Sequence, residues 1–167
     1  MAPAGTPLWQ RFLAALVAYL LPFAEAIPFG DSLLQQYPVL QMLALPAVPI
    51  IFVQELGSFG VGFSGAISLG RLLLFSLLYL PVVRSPRMPY VIRFHVMQAI
   101  LIDIVLIFFS IIFLSLPQAL QESFLARALG NAIFLGVLVL GVFSLVQSMR
   151  GKEVEIPALS EAVRMQL

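Results

Sequence analysis

The chain has 167 residues, 61% of them hydrophobic and only 10% charged, whereas an average soluble domain is about 25% charged. A water-soluble fold of this size could not hide so much apolar surface, but a bilayer core solvates it. The net charge of +1, from scattered basic residues, gives no sign of a nucleic-acid partner. The absence of cysteine excludes disulfides and thiolate chemistry, and the single histidine, His95, excludes a multi-histidine metal site within one chain.

A helical span needs about 20 apolar residues. The first such stretch is 12–29. It begins after Arg11 and contains Ala24-Glu25-Ala26, which imitates a small-x-small cleavage site. The acidic centre of that motif and the nearby Pro28 argue that the segment is retained. Residues 38–56 are apolar but carry Pro38, Pro46 and Pro49, and proline breaks a helix interior. This stretch reads as a re-entrant or interfacial helix. A Gly-rich run follows, then an apolar run from Arg71, and 62–83 reads as the second span. The third, 90–116, is the clearest, and Pro117 ends it; the fourth is 128–148.

The basic residues set the count. They gather at Arg11, at Arg84, Arg87 and Arg93, and at Arg150 and Lys152. Cytoplasmic flanks collect such residues. Three clusters on one side require an even number of spans between each pair; two before Arg84 and two after Arg93 satisfy this, hence four spans with both termini on the cytoplasmic side. The expected fold is an all-α integral membrane four-helix bundle occupying residues 1–150. Residues 151–167 form a polar tail, in which Ala158–Met165 reads either as a short helix or as part of a frayed end.

Gly62, Ala66 and Gly70 recur every four residues, so one face of the second span admits a close backbone. Ala132 and Gly136 repeat the pattern more weakly. These faces suit helix contacts within the chain, contacts between copies, or only the general richness of membrane helices in small residues.

Ionisable groups at membrane depth are costly and call for a reason. Glu25 lies 14 residues from Arg11 and Arg71 lies 13 from Arg84, which sets both about 20 Å from the cytoplasmic face. Either they pair across the first two spans or each snorkels separately to the far interface. Asp103, 10 residues beyond Arg93, falls about 15 Å deep, near the midplane. It shares a helix face with Ser110 and lies close in depth to Arg71. It reads as a pathway lining or as an interhelical hydrogen-bonding group. His95 and Gln98 share a face near the cytoplasmic interface. They read as interfacial polar residues, with ligation of chlorophyll or haem the lesser alternative; no cofactor is expected.

The sequence Val82-Val83-Arg84-Ser85-Pro86, followed by Val91-Ile92-Arg93-Phe94-His95-Val96-Met97-Gln98-Ala99-Ile100-Leu101-Ile102-Asp103-Ile104, resembles the signature of the Tic-twenty (Tic20) family, membrane subunits of the translocon at the inner envelope of chloroplasts. Leu20-Leu21-Pro22, Ile27-Pro28-Phe29-Gly30 and the prolines at 38, 46 and 49 add to the resemblance, which extends over most of 11–150. Ser85 and His95 stand where the family often has Asn. No Ser-rich, acidic-poor transit segment precedes the first span, which points to a cyanobacterial or plastid-encoded relative.

The resemblance implies four transmembrane helices with both termini on the cytosolic or stromal side, and a membrane subunit of a protein translocation or import machinery. Such a subunit would help form a protein-conducting path and reside in a cyanobacterial plasma or thylakoid membrane or a plastid inner envelope. The expected partners are membrane lipid, other membrane subunits or further copies of the chain, and a polypeptide client. The alternatives are a structural or assembly subunit of a larger complex and, third, a small-molecule permease with Asp103 and Arg71 at its site. No Ser/His, Gly-Asp or His-Glu-x-x-His arrangement occurs in the spans, so no enzyme is expected.

Overall fold

The computed structural model describes residues 7–56, 68–86, 88–150 and 157–166. They are organised in helices, with no strand among the described residues. Helix α1 (Leu8–Ala26) passes through a 3-10 turn (Ile27–Gly30) into α2 (Asp31–Gln36). Pro38–Glu55 is also helical, but a second 3-10 turn at Leu45–Ala47 separates α3 (Gln41–Ala44) from α4 (Val48–Glu55). Pro46 and Pro49 lack the amide hydrogens that a regular α-helix would use there.

Helix α5 (Leu69–Leu78) starts at Ser68, whose hydroxyl accepts from the Arg71 amide at 3.2 Å, a side-chain N-cap. It ends in a π-helical turn, Tyr79–Val83, which contains Pro81. Proline has no N–H for the i−4 bond, so the chain widens around it. Helix α6 (Tyr90–Ser115) stops at Leu116, whose backbone is extended, because a residue preceding proline disfavours the helical region. After the single turn α7 (Gln118–Gln121), Ser123 caps α8 (Phe124–Met149) by accepting from the Ala126 amide.

Among the described residues, four helices are long and apolar enough to cross a membrane: Leu8–Gln36, Pro38–Glu55, Tyr90–Ser115 and Phe124–Met149, whereas Leu69–Val83 is apolar but shorter. The protein is an all-α membrane bundle. The expected second span, 62–83, is described only from Ser68 onward. Gly62 and Ala66 of its small-residue face lie outside the described residues, as do Arg87 and Lys152.

The directions of the helices follow from their contacts. Arg71, in the first turn of α5, meets Glu25 near the end of α1. At the other end of that helix, the Val83 carbonyl accepts from Arg93 Nε at 2.7 Å, in the first turn of α6. Ser148, near the end of α8, donates to the Arg11 carbonyl near the start of α1 at 3.0 Å. Helices α1 and α6 therefore run one way, and α5 and α8 the other. The run Pro38–Glu55 begins where Gln41 Nε2 donates to the Leu34 carbonyl, and it is followed by Leu56, whose carbonyl accepts from the Gly70 amide. Both its ends thus lie in the half of the bundle away from Arg11 and Met149.

Helix α1 is the axis of the packing. It lies along both α6 and α8, which scarcely touch each other. Ala15 and Ala18 on α1, Phe94, Ala99 and Ile100 on α6, and Phe134 on α8 are almost wholly buried. Where attraction between helices comes mainly from van der Waals contact rather than from expelling water, such small and large pairs set how closely backbones approach.

Two glycines serve this approach. A Cβ on Gly130 would stand 2.7 Å from the Phe29 carbonyl oxygen, and one on Gly70 would collide with the Val53 carbonyl. Gly70 therefore packs against the proline-broken run. Gly136, by contrast, faces open space, with nothing within 4 Å of its Cβ position. The close contact on α8 is made one and a half turns earlier than the Ala132–Gly136 spacing suggests.

The tail is not frayed throughout. Helix α9 (Pro157–Gln166) packs on α6 and buries Val163 completely.

Candidate functional site

Two helix ends build the floor of the site. Glu25 lies in the last turn of α1, just before the 3-10 turn that Pro28 enters. Arg71 is held by the N-terminus of α5. That end is fixed twice, because Ser68 also donates to the Gln54 carbonyl and Gly70 donates to that of Leu56 at 2.9 Å. From this anchored turn Arg71 Nη2 stands 2.9 Å from Glu25 Oε2, while Nη1 donates to Oε1 at 3.1 Å. Such a two-pronged guanidinium–carboxylate contact fixes both distance and orientation. Ser110 on α6 donates its hydroxyl to the same Oε1 at 3.0 Å. The carboxylate of Glu25 is 3% exposed and the arginine side chain 21%.

Above this floor lies a cleft of about 640 Å³. Its polar lining comes from Asp31, Ser32 and Gln35 of α2, and from Gln121, Glu122 and Arg127 around α7 and the start of α8. Its apolar lining includes Phe29, Phe113, Leu114 and Ala126. Ser32 donates to Asn131 Oδ1 at 2.9 Å, tying α2 to α8 beside it. The cleft opens at the end of the bundle remote from Arg11 and Met149. A floor on Glu25, six residues below Asp31, lies about 9 Å inside.

Asp103 lies further in, seven residues before Ser110 on the same helix. It is 7% exposed, and its Oδ1 has no hydrogen-bond partner. It is close enough to Glu25 and Arg71 to interact electrostatically with both. The structure thus gathers Glu25, Arg71 and Asp103 in one region, with the ion pair formed between the first two.

The motif residues of α6 occupy the other half. The Tyr19 hydroxyl donates to Gln98 Oε1 at 2.8 Å, and both side chains are buried. His95 is 1% exposed and stands edge-on to the rings of Tyr19 and Phe94. It is a core residue rather than an exposed interfacial one, packed between the rings of Tyr19 on α1 and Phe94 on its own helix. Arg93 fastens α6 to the π turn, and Arg84 is exposed at the end of that turn. Among the described residues no three His, Asp or Glu converge as metal ligands.

The sequence reading did not find the Ser110–Glu25 bond, the Ser68–Gln54 anchor or the Gly130 contact. Ser110 did carry a signal, its helix face shared with Asp103. The others are polar or small residues in chemically ordinary surroundings, which only the approach of a distant segment makes special.

A helical bundle with apolar spans and an ion pair flooring a polar cleft is the architecture of an integral membrane protein. The chain belongs to the Tic20 family. The family profile described as "Chloroplast import apparatus Tic20-like" matches residues 3–163. The chain is 37% identical over 159 residues to a Tic20 family protein of Synechocystis, covering 95% of this chain and 92% of that one. It is 33% identical to the Tic20 family protein Ycf60 of Pyropia yezoensis, with 93% and 74% covered. It is 30% identical to Protein TIC 20-v, chloroplastic, of Arabidopsis thaliana, with 95% and 71% covered.

Proposed function

We propose that this protein is a membrane subunit of a protein import or translocation machinery and that its polar cleft lies on the client's path. The observation that carries this reading is the family match along nearly the whole chain, residues 3–163. The cleft supports it physically, since a path for polypeptide needs polar groups inside the bilayer's thickness, and these are costly unless functional or mutually satisfied. The subunit acts by positioning rather than by catalysis. The ion pair at the cleft floor is engaged within itself and with the Ser110 hydroxyl, not arranged as nucleophile and base.

In the proposed topology α1, the 62–83 segment, α6 and α8 cross the bilayer, and the proline-broken run enters and leaves on one side. The bonds of that run to Leu34 and Gly70 support this. The basic ends of α1, α6 and α8 then share the cytosolic or stromal face. Protease protection of tags at each terminus and at Glu122 reads this orientation.

The functional test is a stalled precursor in the native membrane. Contact between the arrested chain and this subunit is expected. If no precursor contacts it while stable subunits copurify, the scaffold reading takes its place. That reading is favoured by the exposed small-residue face of α8 around Gly136.

A further inference from the structure

We propose that the cleft is a half-channel that lodges the short polar flank of a client's hydrophobic segment while the segment itself remains in lipid beside α6 and α8. This rests on the import reading and names the client class: membrane proteins with a short polar tail or loop to be moved, rather than long soluble chains.

Four observations carry it. First, the polar lining stops early. The floor at Glu25, Arg71 and Ser110 lies about 9 Å inside, close to a third of a hydrocarbon core about 30 Å thick. An extended chain covers that distance in about three residues.

Second, the path beyond the floor is closed among the described residues. Tyr19 is bonded to Gln98, and Phe94, Ala99 and Ile100 are almost wholly buried. This is a packed interior that a threading chain would have to dismantle.

Third, the lining is mixed. Phe29, Phe113, Leu114 and Ala126 share it with the polar residues, apolar surface that a hydrophobic segment could lie against. Leu114 is 52% exposed, so this apolar surface continues onto the outside of the bundle. Fourth, α6 and α8 scarcely touch. The side wall between them is a seam held by α1 from behind and bridged by α7 at its end, and it can admit a segment from lipid without breaking a packed helix pair.

The cleft volume of about 640 Å³ corresponds to about twenty water molecules at some 30 Å³ each, room for a short flank but not for a folded element. The guanidinium of Arg71 and the carboxylates around it offer partners to flank backbone and side chains at a depth where lipid offers none.

The test uses the purified full chain in liposomes and two radiolabelled clients with the same single hydrophobic segment. One carries a short polar tail, the other a long unfolded polar domain. The protein has no cysteine of its own, so a photoreactive group can be placed selectively on Ala126→Cys in the cleft, or on Val139→Cys, an exposed position of the bundle surface (62% exposed). The short-tail client is expected to insert severalfold above protein-free vesicles, with its tail crosslinking to Ala126→Cys and not to Val139→Cys.

Equal passage of the long domain through the chain alone would overturn the proposal. So would crosslinks confined to Val139→Cys, or no stimulation by a chain whose helical content is intact. The two readings fail distinguishably. If a stalled precursor contacts this subunit in native membranes but never at Ala126→Cys, the half-channel is wrong and the import role stands. If no precursor contacts the subunit at all, the import role fails as well.

Discussion

Removing Arg71 alone from the Glu25–Arg71 pair should cost more than removing both partners. In Arg71→Met the carboxylate of Glu25, 3% exposed, keeps only the Ser110 hydroxyl, and breaking a buried ion pair in this way costs about 3–5 kcal/mol. In Glu25→Gln the stranded group is the guanidinium, which is 21% exposed and opens on the cleft. Water and the amide oxygen relieve it, so the loss should be nearer 1–2 kcal/mol, about that of an ordinary hydrogen bond to a charged group. The double variant Glu25→Gln with Arg71→Met removes both charges of the pair, so neither is left stranded by loss of the other. It should be more stable than Arg71→Met alone, with a coupling of about 2 kcal/mol, within the range seen for directly bonded pairs.

The measurement is reversible unfolding in mixed detergent micelles with increasing SDS, with the folded fraction read by pulse proteolysis for the wild type, both single variants and the double. Additivity within about 0.5 kcal/mol would show that the two side chains do not depend on one another, and the account of the cleft floor would fall with it.

Further outcomes follow from the packing. Gly130→Leu should lose about 2 kcal/mol or more through overpacking, because the Phe29 carbonyl occupies the space its side chain needs. Gly136→Leu should leave unfolding unchanged; if it lowers the native mass of the complex in mild detergent, that face binds another subunit. Tyr19→Phe should cost about 1–3 kcal/mol by leaving the buried Gln98 oxygen without its donor, measured in the same micelles. Val163→Asp should free α9, so that brief proteolysis removes the tail while α1–α8 stay protected; a tail cut equally fast in the wild type would refute its docking on α6.

The sequence by itself determined the class of this protein. Sixty-one per cent apolar residues with one-tenth charged leave a bilayer as the only adequate solvent, and the spans at 90–116 and 128–148 follow from apolar length, with Pro117 ending the first of them. Depth was legible too, because each helical residue advances about 1.5 Å. That arithmetic set Glu25 and Arg71 at one level, where the structure brings them together. What depth cannot carry is azimuth and neighbour. The sequence could not say that Ser110 would bond Glu25, or that His95 would be buried against the ring of Tyr19 from α1. Nor could it show that Gly70 would face a proline-broken run or that Gly130, not Gly136, would meet a backbone. Those outcomes depend on how helices rotate and cross, which is set by side chains from segments far apart in sequence filling one another's space. The cleft shares that origin. It exists because α1 holds α6 and α8 on two sides and keeps them from closing on each other.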